Sequence, residues 1–305
     1  TRLGIKYIKS LKEQPFYIQA SGLTFGKGVY FAKTKYEAAK AVYSMKQFGK
    51  EGQTFLVEET LIGEEFSSYA ISDGNNFKII GHAQDNKRAY NFDEGENTGG
   101  IGCTSKPLVI TKQIEKQIEE IFRKTFAGLS KEGRPYTGIL YLGGMIVGSR
   151  KPKVYIIEFN SRWGDPEIEV VLPAVVNDLF EVSMAVVDKK VGKLKIKNDG
   201  NYRIAVTAAP KGYPGDYSNV KGKKIFGIEN AVKVKNVKIY GAGVKKKNGN
   251  YIVSSGRLVH VVGVGKNVIE ARKWAYQAMS LIYIEGNNLH YRTDIGSRDI
   301  ERIYR

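Results

Sequence analysis

Cysteine and histidine are scarce in this sequence of 305 residues. The single cysteine, Cys103, excludes an internal disulfide and fits a reducing compartment, so we expect a cytoplasmic protein. The histidines His82, His260 and His290 lack the spacing of zinc ligands. Long apolar runs are also missing. None approaches the roughly 20 residues that span a bilayer, so we expect no membrane helix. No apolar run follows the charged start at 1–6, so we expect no signal peptide.

Acidic residues are outnumbered: 31 aspartates and glutamates face 48 lysines and arginines, for a net charge of +17. Such an excess fits a phosphate-rich partner, either nucleic acid or nucleotide. It also fits a lysine-rich surface of the kind common in heat-adapted proteomes. The basic residues are scattered apart from Lys245, Lys246 and Lys247, which adjoin Asn248 and Gly249 and suggest a solvated turn. We therefore favour the lysine-rich surface with a local phosphate site, and expect no nucleic-acid partner.

Apolar periodicity and turn signals predict an α+β or α/β protein with several domains, which we place at 1–62, 63–195 and 196–305. Strands are expected at 16–20, 29–32, 54–59, 66–73, 77–83, 138–147, 154–159, 203–209, 231–240 and 258–264. Thr34, Asp178 and Asn267, each followed three residues later by glutamate, predict helix starts. The apolar stripe at 114–125 predicts another helix. Polar composition predicts a loop at 84–103 and a linker at 191–200.

A glycine-rich loop, Gly22–Gly28, joins the first two predicted strands. Glycines allow backbone N–H groups to approach phosphate oxygens, and Lys27 adds a positive charge. The spacing is not that of a Walker A loop, and the strand that follows excludes a Rossmann fingerprint. Taken alone, the loop fits a hairpin turn equally well.

A possible cation site follows from Glu158 and Asn160, which are two residues apart on a predicted strand and so share one face. Carboxylate and amide oxygens are ligands that magnesium prefers. The strand also carries bulky apolar side chains on both faces: Val154, Ile156, Ile157 and Phe159. We therefore expect it to be buried, where an acid needs a partner.

Two further segments could bind anions or form turns. Lys87 and Arg88 supply charge for a phosphate, and the turn at 97–100 offers backbone donors, although a flexible surface loop explains both. The segment Gly212–Tyr217 has the proline and glycines of a tight turn.

Taken in order, these segments resemble the phosphoribosylamine–glycine ligases, a family of the ATP-grasp superfamily. The resemblance runs from about Pro15 to Arg302. It rests on Gly22–Gly28, Glu58–Glu65, Gln84–Arg88, Asn97–Gly100, Glu158–Asn160, Gly164–Glu167, Gly212–Tyr217 and Arg292–Gly296. The last two segments tie the C-terminal domain to this family rather than to ATP-grasp enzymes at large.

The resemblance implies an ATP-grasp fold, with two α+β lobes that clasp ATP and a C-terminal α+β domain. It implies an ATP-dependent carbon–nitrogen ligase of purine biosynthesis that uses Mg²⁺ or Mn²⁺. Glycine would be phosphorylated to glycyl phosphate and joined to 5-phosphoribosylamine, giving glycinamide ribonucleotide, ADP and phosphate. Small molecules would be its partners, with no membrane, and the protein would be a monomer or homodimer.

The resemblance also implies roles for individual residues. A lid over the phosphates would comprise Gly26, Lys27 and Gly28. Adenine and ribose would be held near Glu58, Glu59, Leu61 and Glu65. The metal would be held by Glu158 and Asn160. Glycine and phosphoribosylamine would face Lys87, Arg88, Asn97, Thr98, Gly99, Arg162 and Asp165. The catalytic groups would be Lys27 and Arg162.

Three departures from the family pattern leave alternatives open. Gln19 stands where the family usually has a phosphate-binding lysine, and Asn86 where it more often has histidine. The Rossmann-like domain that begins the family's chains does not precede Thr1 in this sequence. The alternatives are an ATP-grasp ligase for another carboxylate, or a non-catalytic relative that binds nucleotide.

Overall fold

The computed structural model describes residues 2–22, 24 and 28–305. They fall into two compact units, 1–62 and 63–305. Unit 1 is a three-stranded antiparallel sheet in the order β2-β1-β3, with two helices. Its elements are α1 Arg2–Ser10, β1 Phe16–Ala20, β2 Val29–Ala32, α2 Lys35–Ser44, a 3-10 helix Met45–Phe48 and β3 Phe55–Glu59.

Unit 1 buries one face of its sheet beneath its helices. Ile8, Ile18 and Val42 are fully buried there. The helix predicted after Thr34 is confirmed: Thr34 Oγ1 accepts a hydrogen bond from Glu37 N at 3.2 Å and stabilises the first turn of α2. The opposite face leaves apolar side chains exposed, including Phe31.

Unit 2 is built on one nine-stranded sheet whose main path is β10-β9-β4-β5-β8-β11-β16-β13. The strands before residue 196 are β4 Glu64–Asp73, β5 Phe77–Asp85, β6 Arg88–Tyr90, β7 Glu94–Asn97, β8 Gly102–Ser105, β9 Thr137–Val147 and β10 Lys153–Asn160. Those after it are β11 Tyr202–Pro210, β12 Lys224–Phe226, β13 Val237–Gly241, β14 Val244–Lys247, β15 Asn250–Val253, β16 Val259–Gly265, β17 Tyr283–Ile284 and β18 Leu289–His290. The helices are α3 Lys112–Lys131, α4 Ile168–Val171, α5 Leu179–Val187, α6 Ile228–Ala231, α7 Val268–Met279 and α8 Ser297–Tyr304.

Each face of the large sheet has its own core. On one face, α3 packs through Ile118 and Phe122, and α7 packs through Ala271 and Ala275. Because side chains alternate along each strand, the other face carries a different set, covered by α4 and α5. The helices predicted from the stripe at 114–125 and after Asp178 and Asn267 are confirmed.

The predicted loop at 84–103 is wrong in part. β6 and β7 form a hairpin within it, and β8 joins the large sheet. Phe92 and Asp93, both with φ of 58°, make the turn of that hairpin. A positive φ is uncommon for residues other than glycine. Because neither position is a glycine, the sequence did not indicate this turn.

The predicted linker at 191–200 is also wrong, because it packs against unit 2. Val191 is fully buried, and its N–H donates to Asp73 Oδ2 at 2.9 Å. Asp199 pairs with Arg203, whose side chain is buried. β8 pairs with β11, so the sheet is continuous past residue 195. The proposed domain division near that residue stays a prediction.

Two smaller predictions fail in the C-terminal part. The strand expected at 231–240 starts only at Val237, because Ala231 ends α6 and Asn236 has a φ of 59°. The three lysines from Lys245 to Lys247 are exposed as expected, but they belong to β14 and only Asn248 and Gly249 turn. Within the described residues, no helix has the length and apolarity required to cross a membrane.

Candidate active site

The predicted cation ligands Glu158 and Asn160 lie on β10, which is one edge strand of the large sheet. Asn160 Nδ2 donates to Glu158 Oε1 at 3.0 Å, so the two side chains share one face. Glu158 lies opposite Gly143 of β9. A Cβ at Gly143 would stand 3.1 Å from Glu158 Cγ, closer than most such contacts. The glycine therefore leaves room for the carboxylate.

The expected burial of β10 is wrong. Ile157 is 51% exposed and Phe159 is 38% exposed, because no strand covers the outer edge of β10 within the described part of unit 2. A bulge between Ile156 and Glu158 also shifts the register against β9. Glu158 therefore lies at an open strand end. Its carboxylate and the Asn160 amide are an oxygen donor set that fits a divalent cation completed by phosphates and water.

A buried polar group continues the same face towards the sheet centre. Ser67 Oγ donates to Glu167 Oε1 at 2.9 Å and lies 3.1 Å from the hydroxyl of Tyr141. The Tyr141 ring stacks on Tyr69, with 5.1 Å between ring centroids. These contacts hold the segment that follows β10 against the sheet.

Next along this face lies an ion pair between a buried aspartate and a half-buried lysine. Lys87 Nζ is 2.9 Å from Asp85 Oδ2. Burial raises the pKa of Asp85 to about 7, although Lys87 opposes the shift. Burial would lower the pKa of Lys87, but Asp85, with Tyr141 and Glu167, outweighs it and raises the pKa. Lys87 is therefore a fixed positive charge within a largely acidic group.

Arg257 joins two of the predicted substrate segments. Its Nη1 donates to Gly99 O at 3.1 Å and to Gly100 O at 3.3 Å, and lies 2.8 Å from Asp165 Oδ1. Burial would raise the pKa of Asp165, but His260 and Arg257 outweigh it and lower the pKa. Asp165 is thus held as an anion beside the glycine turn.

The remaining predicted substrate residues are placed less uniformly. Thr98 Oγ1 donates to Lys87 O at 2.8 Å, which ties the turn to the lysine of the ion pair. Asn97 lies opposite Arg88 in the β6–β7 hairpin, and Arg88 Nη1 donates to Gly95 O at 2.7 Å. Arg162 is exposed, and its Nη1 donates to Trp163 O at 2.9 Å. Arg88 therefore points into its own hairpin rather than towards Lys87.

Most of the predicted nucleotide residues belong to unit 1. Gly26 and Lys27 lie outside the described residues. Gly28 N donates to Thr24 Oγ1 at 3.1 Å, and a Cβ at Gly28 would stand 2.4 Å from the same oxygen, so position 28 has little room for a side chain. Burial raises the pKa of Glu58.

The other nucleotide residues are mostly exposed. Glu59, the last residue of β3, is exposed, and Leu61 just beyond it is half-buried. Glu65 of unit 2 is exposed on β4, and its carbonyl accepts from Gln84 Nε2 at 3.0 Å.

Several residues of this face were not predicted individually. They are Ser67, Tyr69, Asp85, Tyr141, Glu167, Arg257 and His260. Asp85 and Glu167 belong to segments that carried the family resemblance, so position within a motif could have identified them. Arg257 and His260 are far from those segments in sequence and reach them only because β16 and β11 are neighbours.

Two family models match the chain. The phosphoribosylglycinamide synthetase ATP-grasp (A) domain matches residues 3–168, and the C domain of the same synthetase matches residues 203–298. The chain belongs to the phosphoribosylglycinamide synthetase family. The match across both models confirms the ATP-grasp fold and the family that the sequence segments predicted.

Similar proteins support this synthetase family. A phosphoribosylamine–glycine ligase of Vibrio vulnificus is 38% identical over 292 residues, which are 94% of this chain and 66% of that protein. A trifunctional purine biosynthetic protein of Gallus gallus is 39% identical over 304 residues, 98% of this chain and 30% of that protein. The chain thus spans less than two thirds of either relative.

A solved structure gives the same result for the fold. The phosphoribosylamine–glycine ligase of Thermotoga maritima superposes with a TM-score of 0.79 at 34% identity, covering 95% of this chain and 70% of that one. A biotin carboxylase of Campylobacter jejuni, at 15% identity and a TM-score of 0.62 over 95% of this chain and 61% of that one, shares the fold alone.

Proposed function

We propose that this chain carries out the ATP-dependent ligation of glycine to 5-phosphoribosylamine. A carboxylate oxygen of glycine attacks the γ-phosphorus of ATP, and the bond to ADP breaks. The amine nitrogen of phosphoribosylamine then attacks the carbonyl carbon of glycyl phosphate, phosphate leaves, and the nitrogen loses a proton. Glycinamide ribonucleotide, ADP and phosphate are the products. Such chemistry depends mainly on positioning and on neutralising charge.

One observation carries the proposal: a single sheet face presents Glu158 and Asn160 at its edge, Lys87 nearer its centre and Asp165 beyond. A divalent cation at Glu158 and Asn160, Mg²⁺ or Mn²⁺, would neutralise phosphate charge when bound. Lys87, held protonated by its buried acidic neighbours, offers charge for a substrate anion. Asp165 offers the opposite charge for a substrate amine.

The roles of the remaining substrate residues are part of the proposal. The turn around Thr98 and Gly99 presents backbone N–H groups to an anion, and Asn97 and Arg88 flank it. Arg162, which is exposed and follows the proposed metal ligands Glu158 and Asn160, would stabilise the transferring phosphoryl group.

Nucleotide binding by unit 1 is proposed from the side chains on one face of its sheet. Val29, Phe31 and Leu56 are exposed apolar side chains on the face of the unit 1 sheet that also carries Glu58, which suits a purine ring. Gly26, Lys27 and Gly28 would form a phosphate lid, with Glu58, Glu59 and Leu61 near adenine. Glu65 would lie near ribose.

The assay that tests the proposal measures phosphate release from ATP. We expect release that requires glycine and phosphoribosylamine together and a divalent cation. Release driven by a different acid would identify another ATP-grasp ligase. Nucleotide binding without any release would favour the non-catalytic relative, for which Gln19 in place of a lysine is the supporting feature. A cytoplasmic setting and a monomer or homodimer are proposed with the ligase.

A further inference from the structure

Three metal-ligating side chains outside the Glu158–Asn160 pair converge on the same sheet face. Asp165, Glu169 and His260 each offer one ligand atom, and these atoms lie within 4.8 Å of one another. Asp165 and Glu169 come from the segment that crosses the sheet after β10, and His260 comes from β16. The three reach one point only in the folded chain.

Two buried atoms at this point have no hydrogen-bond partner. His260 is 1% exposed, and its Nδ1 lies 2.9 Å from Thr207 Oγ1. Its Nε2 lies 3.0 Å from Asp165 Oδ1 but makes no hydrogen bond. Glu169 Oε2 is likewise buried without a partner. Buried polar atoms nearly always have one, and a bound cation would supply the partner that both atoms lack.

The surrounding charge is compatible with a cation. Burial, followed by the neighbouring Asp165 and Glu167, raises the pKa of Glu169, although His260 opposes the shift. Arg257 is the nearest fixed positive charge, 2.8 Å from Asp165 Oδ1. Its Nη1 is shared with the carbonyls of Gly99 and Gly100, so its charge is partly satisfied elsewhere.

We propose that Asp165, Glu169 and His260 bind a divalent first-row transition-metal ion, at a site separate from Glu158 and Asn160. One imidazole with two carboxylates suits Zn²⁺ or Mn²⁺ better than Mg²⁺, which prefers oxygen alone. With Nδ1 donating to Thr207 Oγ1, the Nε2 lone pair would face the ion, because a hydrogen bond to the second ring nitrogen fixes the tautomer of a ligating histidine. The Asp165 side chain is 46% exposed, which leaves a way in.

The chain offers a matched control at His82. Its Nδ1 lies 2.6 Å from Ser68 Oγ, as His260 Nδ1 lies near Thr207. Its Nε2 has a single carboxylate nearby, Glu115 at 3.8 Å. His82 therefore repeats the histidine and hydroxyl of the proposed site without the second carboxylate.

The test is equilibrium dialysis of the whole chain against Zn²⁺, in excess Mg²⁺ and without nucleotide. Wild type should bind one Zn²⁺, and His260→Gln and Glu169→Gln should weaken that binding by at least about 10- to 100-fold, the loss typical when only a ligand's supporting partner is removed. His82→Gln and Glu158→Gln should leave that ion in place. The second readout is the visible absorption of bound Co²⁺. It should be lost in His260→Gln and kept in His82→Gln.

Two results would overturn the proposal. One is the absence of a Zn²⁺ equivalent in wild type, which would mean that a protonated imidazole satisfies the carboxylates instead. The other is equal binding by wild type and by a His260→Gln variant whose unfolding temperature is unchanged. Neither result bears on ligase turnover, because phosphate release is not measured.

Discussion

At the edge of the large sheet, Glu158 and Asn160 form a hydrogen bond with each other at an open strand end, whereas nearer its centre the buried Asp85 pairs with the half-buried Lys87. Both groups are polar and both lie on one face. They differ in what holds them. The edge pair leaves its oxygens available to a ligand, while Asp85 and Lys87 form an ion pair with each other.

This difference separates function from stability. An exposed side chain at a strand end can change with little effect on folding, typically within about 0.5 kcal/mol. A buried charge that loses its partner costs more, because its desolvation is no longer compensated. Substitutions at the edge should therefore affect turnover with little change in unfolding, and those nearer the centre should affect unfolding as well.

The largest effect is expected from Glu158→Gln at the edge. Loss of the cation-holding carboxylate should lower phosphate release by about 1,000-fold, roughly 4 kcal/mol in the barrier. The unfolding temperature should hardly move. Glu119→Gln, the same change on an exposed residue of α3, serves as the control. Full activity in Glu158→Gln would show that the metal is held elsewhere.

The next effect is expected at Asp199, which pairs with the buried Arg203. Asp199→Asn should lower the free energy of unfolding by about 2–3 kcal/mol, because Arg203 loses a charged partner. The exposed pair Asp188 and Lys190, 2.9 Å apart, is the matched control, and Asp188→Asn should cost less than about 1 kcal/mol. Denaturant titration measures the free energy of unfolding of both variants. Equal losses of that free energy would contradict the contrast between the buried and the exposed pair.

The same aspartate gives a pH dependence. Burial opposes the shift, but Arg203 and Asn201 lower the pKa of Asp199 to about 2. A lowered carboxylate pKa contributes stability above its unfolded value, and this contribution is lost as the pH falls towards 2. As the pH is lowered towards 2, the free energy of unfolding should therefore fall less in Asp199→Asn than in wild type.

Asp85 should show the opposite sign. Because its pKa is raised to about 7, it contributes less stability as the pH rises from 5 to 8. Wild type should lose about 2 kcal/mol more over that range than Asp85→Asn. Denaturant titrations at pH 5 and pH 8 measure the difference. Parallel losses in the two proteins would mean that Asp85 is ionised throughout.

The smallest effect is expected at Lys27 of the glycine loop. Lys27→Ala should raise the Michaelis constant for ATP by about tenfold, or roughly 1.4 kcal/mol, through loss of one phosphate contact. Lys33→Ala, an exposed lysine after β2, is the control. An unchanged Michaelis constant for ATP would contradict the lid role.

Local patterns predicted much of the fold. The caps at Thr34, Asp178 and Asn267 and the stripe on α3 depend on neighbouring residues, which the sequence displays directly. The predicted burial of β10 was wrong, because whether a strand lies at the edge of a sheet depends on which strands are its neighbours. The predicted linker at 191–200 was wrong for a similar reason, because Val191 donates a hydrogen bond to Asp73, which is far away in sequence.

The candidate site shows the same limit. Glu158 and Asn160 were predicted from their spacing, and the structure brings them together. Arg257 and His260 had no local signal, because they meet Asp165 only through the pairing of β11 with β16. Single residues that complete a site from another strand are not visible in a sequence pattern.

The most direct test of the account is the binding of Mn²⁺·ATP to wild type and Glu158→Gln, followed by the electron paramagnetic resonance of Mn²⁺. The account predicts that wild type binds the complex and that Glu158→Gln binds it at least about tenfold more weakly, while Glu119→Gln matches wild type. Equal affinity in wild type and Glu158→Gln would contradict the claim that the open end of β10 holds the cation.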